Sequence, residues 1–157
     1  MKGNEKVIAA LNKAVHEELV ALSEYFVHAE MNENWKYGKI AKQIKKFSIQ
    51  EMKHAEHLIE RILFLEGTPN LAGPTQLKIG KTVKEQFEND LAAELDAVKM
   101  YNEFVALARE AGDHGSADLF LANLKDEEEH ADWLDAQLGL INELGVQTYL
   151  SKQLDGE

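Results

Sequence analysis

Four stretches of the chain repeat apolar residues at steps of three and four, the spacing that gathers side chains on one face of a helix. From Glu5 to about Glu33 the stripe is Ile8, Leu11, Val15, Glu18, Leu22, Tyr25 and Ala29, with Asn4 placed as an N-cap. From about Lys39 to Leu65 it is Ile40, Ile44, Phe47, Glu51, His54, Leu58 and Ile62. From about Thr82 to Glu110 it is Phe87, Leu91, Glu94, Val98, Tyr101 and Val105. The last stretch follows the turn at Gly112–Gly115 and runs to about Leu144, with Phe120, Glu127, His130, Leu134 and Ile141 inward. Gly145 reads as a C-terminal stop and Val146–Leu154 as a short amphipathic tail helix. Nothing alternates with the period of a strand. The expectation is an all-α four-helix bundle with a short fifth helix, one domain over 1–157.

Between Glu66 and Lys81 the periodicity lapses, and both prolines, Pro69 and Pro74, fall there with Gly67, Gly73 and Gly80. Helices of roughly 28 residues are about 42 Å long, and a linker of roughly 16 residues reaches about 55 Å. The loop can therefore carry the chain back along the whole bundle. The third helix then runs antiparallel to the first and the fourth to the second, with the halves related by a two-fold axis perpendicular to the bundle.

The stripes are apolar except at six positions. Glu51 and His54 form a Glu-x-x-His, as do Glu127 and His130; Glu51 lies 33 residues beyond Glu18, and Glu127 lies 33 beyond Glu94. One offset of 76 residues carries the whole set from the first half to the second, and takes Leu19 to Leu95, Tyr25 to Tyr101 and Leu58 to Leu134. A single buried Glu is ordinarily half of an ion pair and a single buried His a hydrogen-bonded core residue. Four carboxylates are different: burying unpaired charge costs several kcal/mol or more, and no Lys or Arg stands on the stripes near these levels. Two divalent cations neutralise four carboxylates. Residues three apart share a helix face, so Glu51 and His54 reach one site together. Oxygen and nitrogen donors without sulfur suit iron or manganese rather than copper(I). Symmetry places Glu51 and Glu127 as bridges, Glu18 and His54 at one metal, and Glu94 and His130 at the other. Tyr25 and Tyr101 stand seven residues beyond Glu18 and Glu94, where each either hydrogen-bonds a ligand carboxylate or supplies an electron.

Composition narrows the class. There is no cysteine, so disulfides, iron–sulfur clusters and thiolate catalysis are excluded, and a reducing cytoplasm is the expected location. A net charge of −11 argues against nucleic acid or anionic membrane as partner and suits small cations. The opening Met1-Lys2-Gly3-Asn4 has no signal-peptide pattern, and no apolar run approaches the roughly 18 residues of a membrane span.

A Glu from each of two helices with a Glu-x-x-His from each of the other two is the known ligand pattern of ferritin-like di-iron and di-manganese proteins. Over essentially its whole length the chain resembles the bacterioferritins. Beyond the six ligands, Met1-Lys2-Gly3, the run Arg61-Ile62-Leu63-Phe64-Leu65-Glu66-Gly67 with Pro69-Asn70-Leu71, and Asp126-Glu127-Glu128 are similar to family segments. The resemblance implies a ferritin-like fold and a shell of 24 subunits that takes up Fe(II). It further implies oxidation with O₂ or peroxide at a diiron centre of two Fe per subunit, and storage of the ferric product as mineral. The tail helix would fit the four-fold axes. Met52, adjacent to Glu51 and so turned away from the ligand stripe, is by itself a subunit contact. In the family the matching Met, one from each of two subunits, ligates a shared haem b, and Leu19, Phe26 and Ile49 would face it. A small ferredoxin would be the reductant for iron release. Glu66 and Asp132 are candidates for an iron access route. Lys46 and Gln50 depart from the His and Asp that some members use to hold an inner-surface iron. A rubrerythrin relative, a manganese catalase, an electron-transfer haem bundle and a mini-ferritin are the competing readings. The first normally adds a cysteine-bound iron that this chain lacks, and the last places its metal between subunits.

Overall fold

A computed structural model describes residues 1–70 and 76–155. Five helices follow in order: α1 (Glu5–Asn34), α2 (Gly38–Phe64), α3 (Val83–Glu110), α4 (His114–Leu144) and α5 (Val146–Ser151). Each long helix but α2 begins at a side-chain cap. Asn4 accepts from the N–H groups of Lys6 and Val7, Thr82 from Glu85 and Asp113 from Ser116; such caps contribute about 1 kcal/mol each. α4 ends where Gly145 takes φ +81°, a conformation costly to any residue with a Cβ.

Cross-helix hydrogen bonds fix the directions. Tyr25 reaches Glu94, and Tyr101 reaches Glu18. Later α1 residues thus meet earlier α3 residues, and the two helices are antiparallel. Ser48 bonds the Leu22 carbonyl while His54 meets Glu18, and Arg61 bonds Asp113 while His130 meets Gln50, so α2 is antiparallel to both α1 and α4. The crossing connection is anchored along α1. Asn12 holds Thr68 and Asn70 at one end; Glu24 and His28 accept from the N–H groups of Lys78 and Gly80 at the other. Those anchors are 16 residues apart on α1, about 24 Å of helix, so the connection returns as the sequence requires. Its middle, with Leu71, Gly73 and Pro74, lies outside the described residues.

Two apolar layers fill the bundle. Leu11, Val15, Leu58, Ile62, Val105 and Phe120 belong to one; Ile40, Ile44, Phe47, Phe87, Leu134 and Ile141 belong to the other. Each such side chain contributes roughly 1.5–3 kcal/mol on burial. Between the layers all four helices present polar groups at one level, and there the six candidate ligands sit.

The tail departs from expectation. Helix α5 stops at Ser151 rather than Leu154. The N–H of Gln153 turns back to Leu150, and its carbonyl accepts from Lys39 at the start of α2. Tyr149 is buried in the second apolar layer and donates to Gln137 at 2.6 Å. Docking onto the chain's own bundle ends the helix early.

Candidate metal centre

All six side chains are buried, none more than 4% exposed, because each occupies a core position of its helix. They fall into two overlapping groups, Glu18–Glu51–His54–Glu127 and Glu51–Glu94–Glu127–His130, each offering four ligand atoms within 4.8 Å of one another. Glu51 and Glu127 belong to both. His54 Nδ1 lies 3.3 Å from Glu18 and 3.4 Å from Glu51 and Glu127. His130 Nδ1 lies 3.4 Å from Glu51 and Glu94 and 3.6 Å from Glu127.

The donor set is not satisfied by protein. Both oxygens of Glu51, one each of Glu94 and Glu127, and His130 Nδ1 are buried without a hydrogen-bond partner. Buried polar atoms are almost always paired, since an orphan costs about 1–3 kcal/mol. No Lys or Arg is buried among the described residues. The donors therefore fit hard divalent cations in number, charge and type. Without a cation the site holds protons. Burial, then the charges of Glu18 and Glu94, drive the Glu51 carboxyl well above the carboxylate range. Burial, then Glu51, Glu18 and Glu94, do the same to Glu127. Burial pulls His54 down, but the hydrogen bond and charge of Glu18, followed by Glu127 and Asp126, outweigh it and lift the imidazole to about 9.

The two tyrosines cross the bundle. Tyr25 of α1 donates to Glu94 of α3 at 2.6 Å, and Tyr101 of α3 donates to Glu18 of α1 at 2.5 Å. Burial and those carboxylates raise both phenols well above their ordinary value, so each stays protonated and donates.

Other singled-out residues lie away from the ligands. Met52, Phe26 and Ile49 are exposed on the outward side of α1 and α2, with Leu19 half-buried. Glu66 pairs with the amino terminus at 3.0 Å. Asp132 lines a shallow depression beside Leu95 and Val98 that contains none of the six. A cavity of about 490 Å³ between α1 and α3 runs from Glu18, Glu51, Glu94 and Glu127 outward past Glu24 and Asp90 to exposed Glu17 and Asp96, and neither Glu66 nor Asp132 lines it. Lys46 is exposed, whereas Gln50 is within 2.9 Å of His130 Nε2.

The sequence reading missed a second buried polar level. His28 Nε2 accepts from Gly80, which leaves Nδ1–H to donate to Asp90 at 3.1 Å; Asn32 bonds Gln86 at 2.8 Å. Asn32 stands seven residues beyond Tyr25 on the same stripe, a signal that was available. Asp126, 2.8 Å from His54 Nε2, was also missed as a site residue.

The chain is similar to known proteins over most of its length. A family model described as a ferritin-like domain matches residues 8–144. A bacterioferritin of Rhodobacter capsulatus is 46% identical over 149 residues, covering 95% of this chain and 92% of its own. A bacterioferritin of Mycolicibacterium paratuberculosis is 40% identical, covering 95% and 94%. A bacterial ferritin of Synechocystis is 42% identical over 155 residues, covering 98% and 99%.

Proposed function

The chain belongs to the bacterioferritins, and from that premise we propose that it stores and detoxifies iron as a ferroxidase. Residues 1–157 act as a single ferritin-like diiron domain. The observation that carries this reading is the pair of overlapping donor groups sharing Glu51 and Glu127, with five ligand atoms buried and unpartnered.

Fe(II) is the substrate. Glu18 and His54 would hold one ion, Glu94 and His130 the other, and Glu51 and Glu127 both. Each Fe(II) gives up one electron; O₂ takes the pair with two protons and leaves as H₂O₂, which avoids free superoxide. With peroxide as oxidant the O–O bond breaks and, with two protons, two waters form. Tyr25 and Tyr101 fix the outer oxygens of Glu94 and Glu18, holding the terminal carboxylates in place; Tyr25 would be the redox-active one of the two, giving an electron to the oxidant when only one Fe(II) is bound. The acidic cavity between α1 and α3 attracts cations to the ligands.

Met52 would supply the thioether to a haem b shared between two subunits. It stands exposed beside Phe26 and Ile49, an apolar half-site that a second copy would complete. Bound haem supplies a one-electron carrier between an external reductant, such as a small ferredoxin, and stored ferric iron. The assembly is a cytoplasmic homo-oligomer of 24 subunits. No helix among the described residues is long and apolar enough to cross a membrane.

Aerobic Fe(II) addition, followed by ferric absorbance with particle mass in parallel, tests the proposal. Rapid oxidation saturates near two irons per chain in a large particle that then holds far more. His54→Ala and His130→Ala keep their helical circular dichroism and slow oxidation by at least about ten-fold. Wild-type rates in both variants contradict the assignment. Manganese-dependent O₂ evolution from peroxide with no Fe(II) oxidation would turn it into a catalase.

A further inference from the structure

The offset of 76 residues that copies every ligand fails at the hydrogen bonds behind them: it takes Gln50 onto Asp126 and Phe47 onto Asn123. Both imidazoles turn Nδ1 toward the shared carboxylates, so both present Nε2–H outward. His54 donates it to the Asp126 carboxylate at 2.8 Å, and His130 donates it to the Gln50 amide oxygen at 2.9 Å. The rings differ in surroundings too. Phe47 stacks on His130 with centroids 4.0 Å apart, and the matching residue in the other half, Asn123, bonds the Tyr101 hydroxyl instead.

A carboxylate behind an imidazole draws on its N–H, makes the far nitrogen a stronger donor to a cation, and adds a negative charge to that side of the site. A neutral amide orients the ring and does little more. The exposed side of Asp126 is screened by solvent, but its hydrogen bond to His54 is direct and short. We propose that Gln50 and Asp126 are positioning residues that make the two metal positions unequal. The Glu18–His54 position fills first, and the Glu94–His130 position holds its ion more weakly and exchanges it. This rests on the two-metal reading above. Unequal positions suit a protein that oxidises iron and then passes it on, because one ion stays to rebuild the pair while the other leaves.

The test is anaerobic Co(II) titration of the assembled protein, read by calorimetry and by visible Co(II) absorption, which needs no ferroxidase turnover. Wild-type binds two Co(II) per chain in two steps. Repulsion between neighbouring cations separates two steps even at equivalent positions, so the variants decide. Gln50→Asp strengthens the second step by about 10–100-fold and leaves the first unmoved. Asp126→Asn weakens the first step by a similar factor. If two Co(II) still bind and either variant leaves both steps within about two-fold of wild-type, or if Asp126→Asn weakens only the second step, the inequality is overturned. If wild-type binds no Co(II) pair, the two-metal reading fails instead.

Discussion

Removing the charge of Glu51 while keeping its shape should stabilise the metal-free protein. Glu51 and Glu127 are raised, first by burial and then by neighbouring carboxylates, so the folded chain holds protons that the unfolded chain releases. Stability then falls as pH rises from the ordinary carboxylate range upward. His54 acts in the same sense: its contribution is complete below its ordinary value of 6.5 and is lost as pH passes about 9. Glu51→Gln should therefore raise the metal-free melting temperature at pH 8 by several degrees, given roughly 2–4 °C per kcal/mol. The gain should shrink toward pH 5. The same variant should lose most of the stabilisation that Co(II) gives wild-type. A lower melting temperature at pH 8 would mean that Glu51 is held by a partner and is not a frustrated ligand. At this scale the convergence of the six buried donors was legible in the sequence because charges on apolar stripes are costly and the repeat is in plain view. Gln50 was less so. The offset pairs it with Asp126, but only the assembled α2–α4 register brings it to His130.

At the scale of elements, the crossing connection depends on a close approach. A Cβ at Gly80 would overlap the Gln86 backbone, and the Gly80 N–H is committed to His28. Gly80→Ala should therefore cost about 1–3 kcal/mol, seen as a lower melting temperature, with Fe(II) oxidation per folded chain retained. An unchanged melting temperature would show that the loop is not held by this contact. The limits of the four long helices were readable to within a residue or so, since the cap at Asn4 and the glycine at Gly145 are local signals; Thr82 and Asp113, read as a first helical residue and part of a turn, prove to be caps. The loop topology followed from length alone. The His28–Asp90 pair did not, since it depends on how α1 crosses α3, which no local period encodes. The tail was read three residues too long because its amphipathic pattern continues after the chain has turned to meet Lys39.

At the scale of the whole molecule, the acidic cavity and the apolar Met52 face open on different sides: the cavity between α1 and α3, the face across α1 and α2. Substrate cations and an electron carrier would therefore reach the subunit without competing for one surface. Met52→Ala should abolish the haem Soret band with the particle mass unchanged; retained haem would require another axial ligand.

A crystal of the protein soaked anaerobically in Fe(II) and measured at the iron absorption edge would show whether two divalent ions bind between the halves of the bundle. Two anomalous peaks about 3.5–4 Å apart, both against Glu51 and Glu127, with Glu18 and His54 at one and Glu94 and His130 at the other, are the predicted result. A single peak, or none within the bundle while Fe(II) is oxidised elsewhere on the protein, would contradict it.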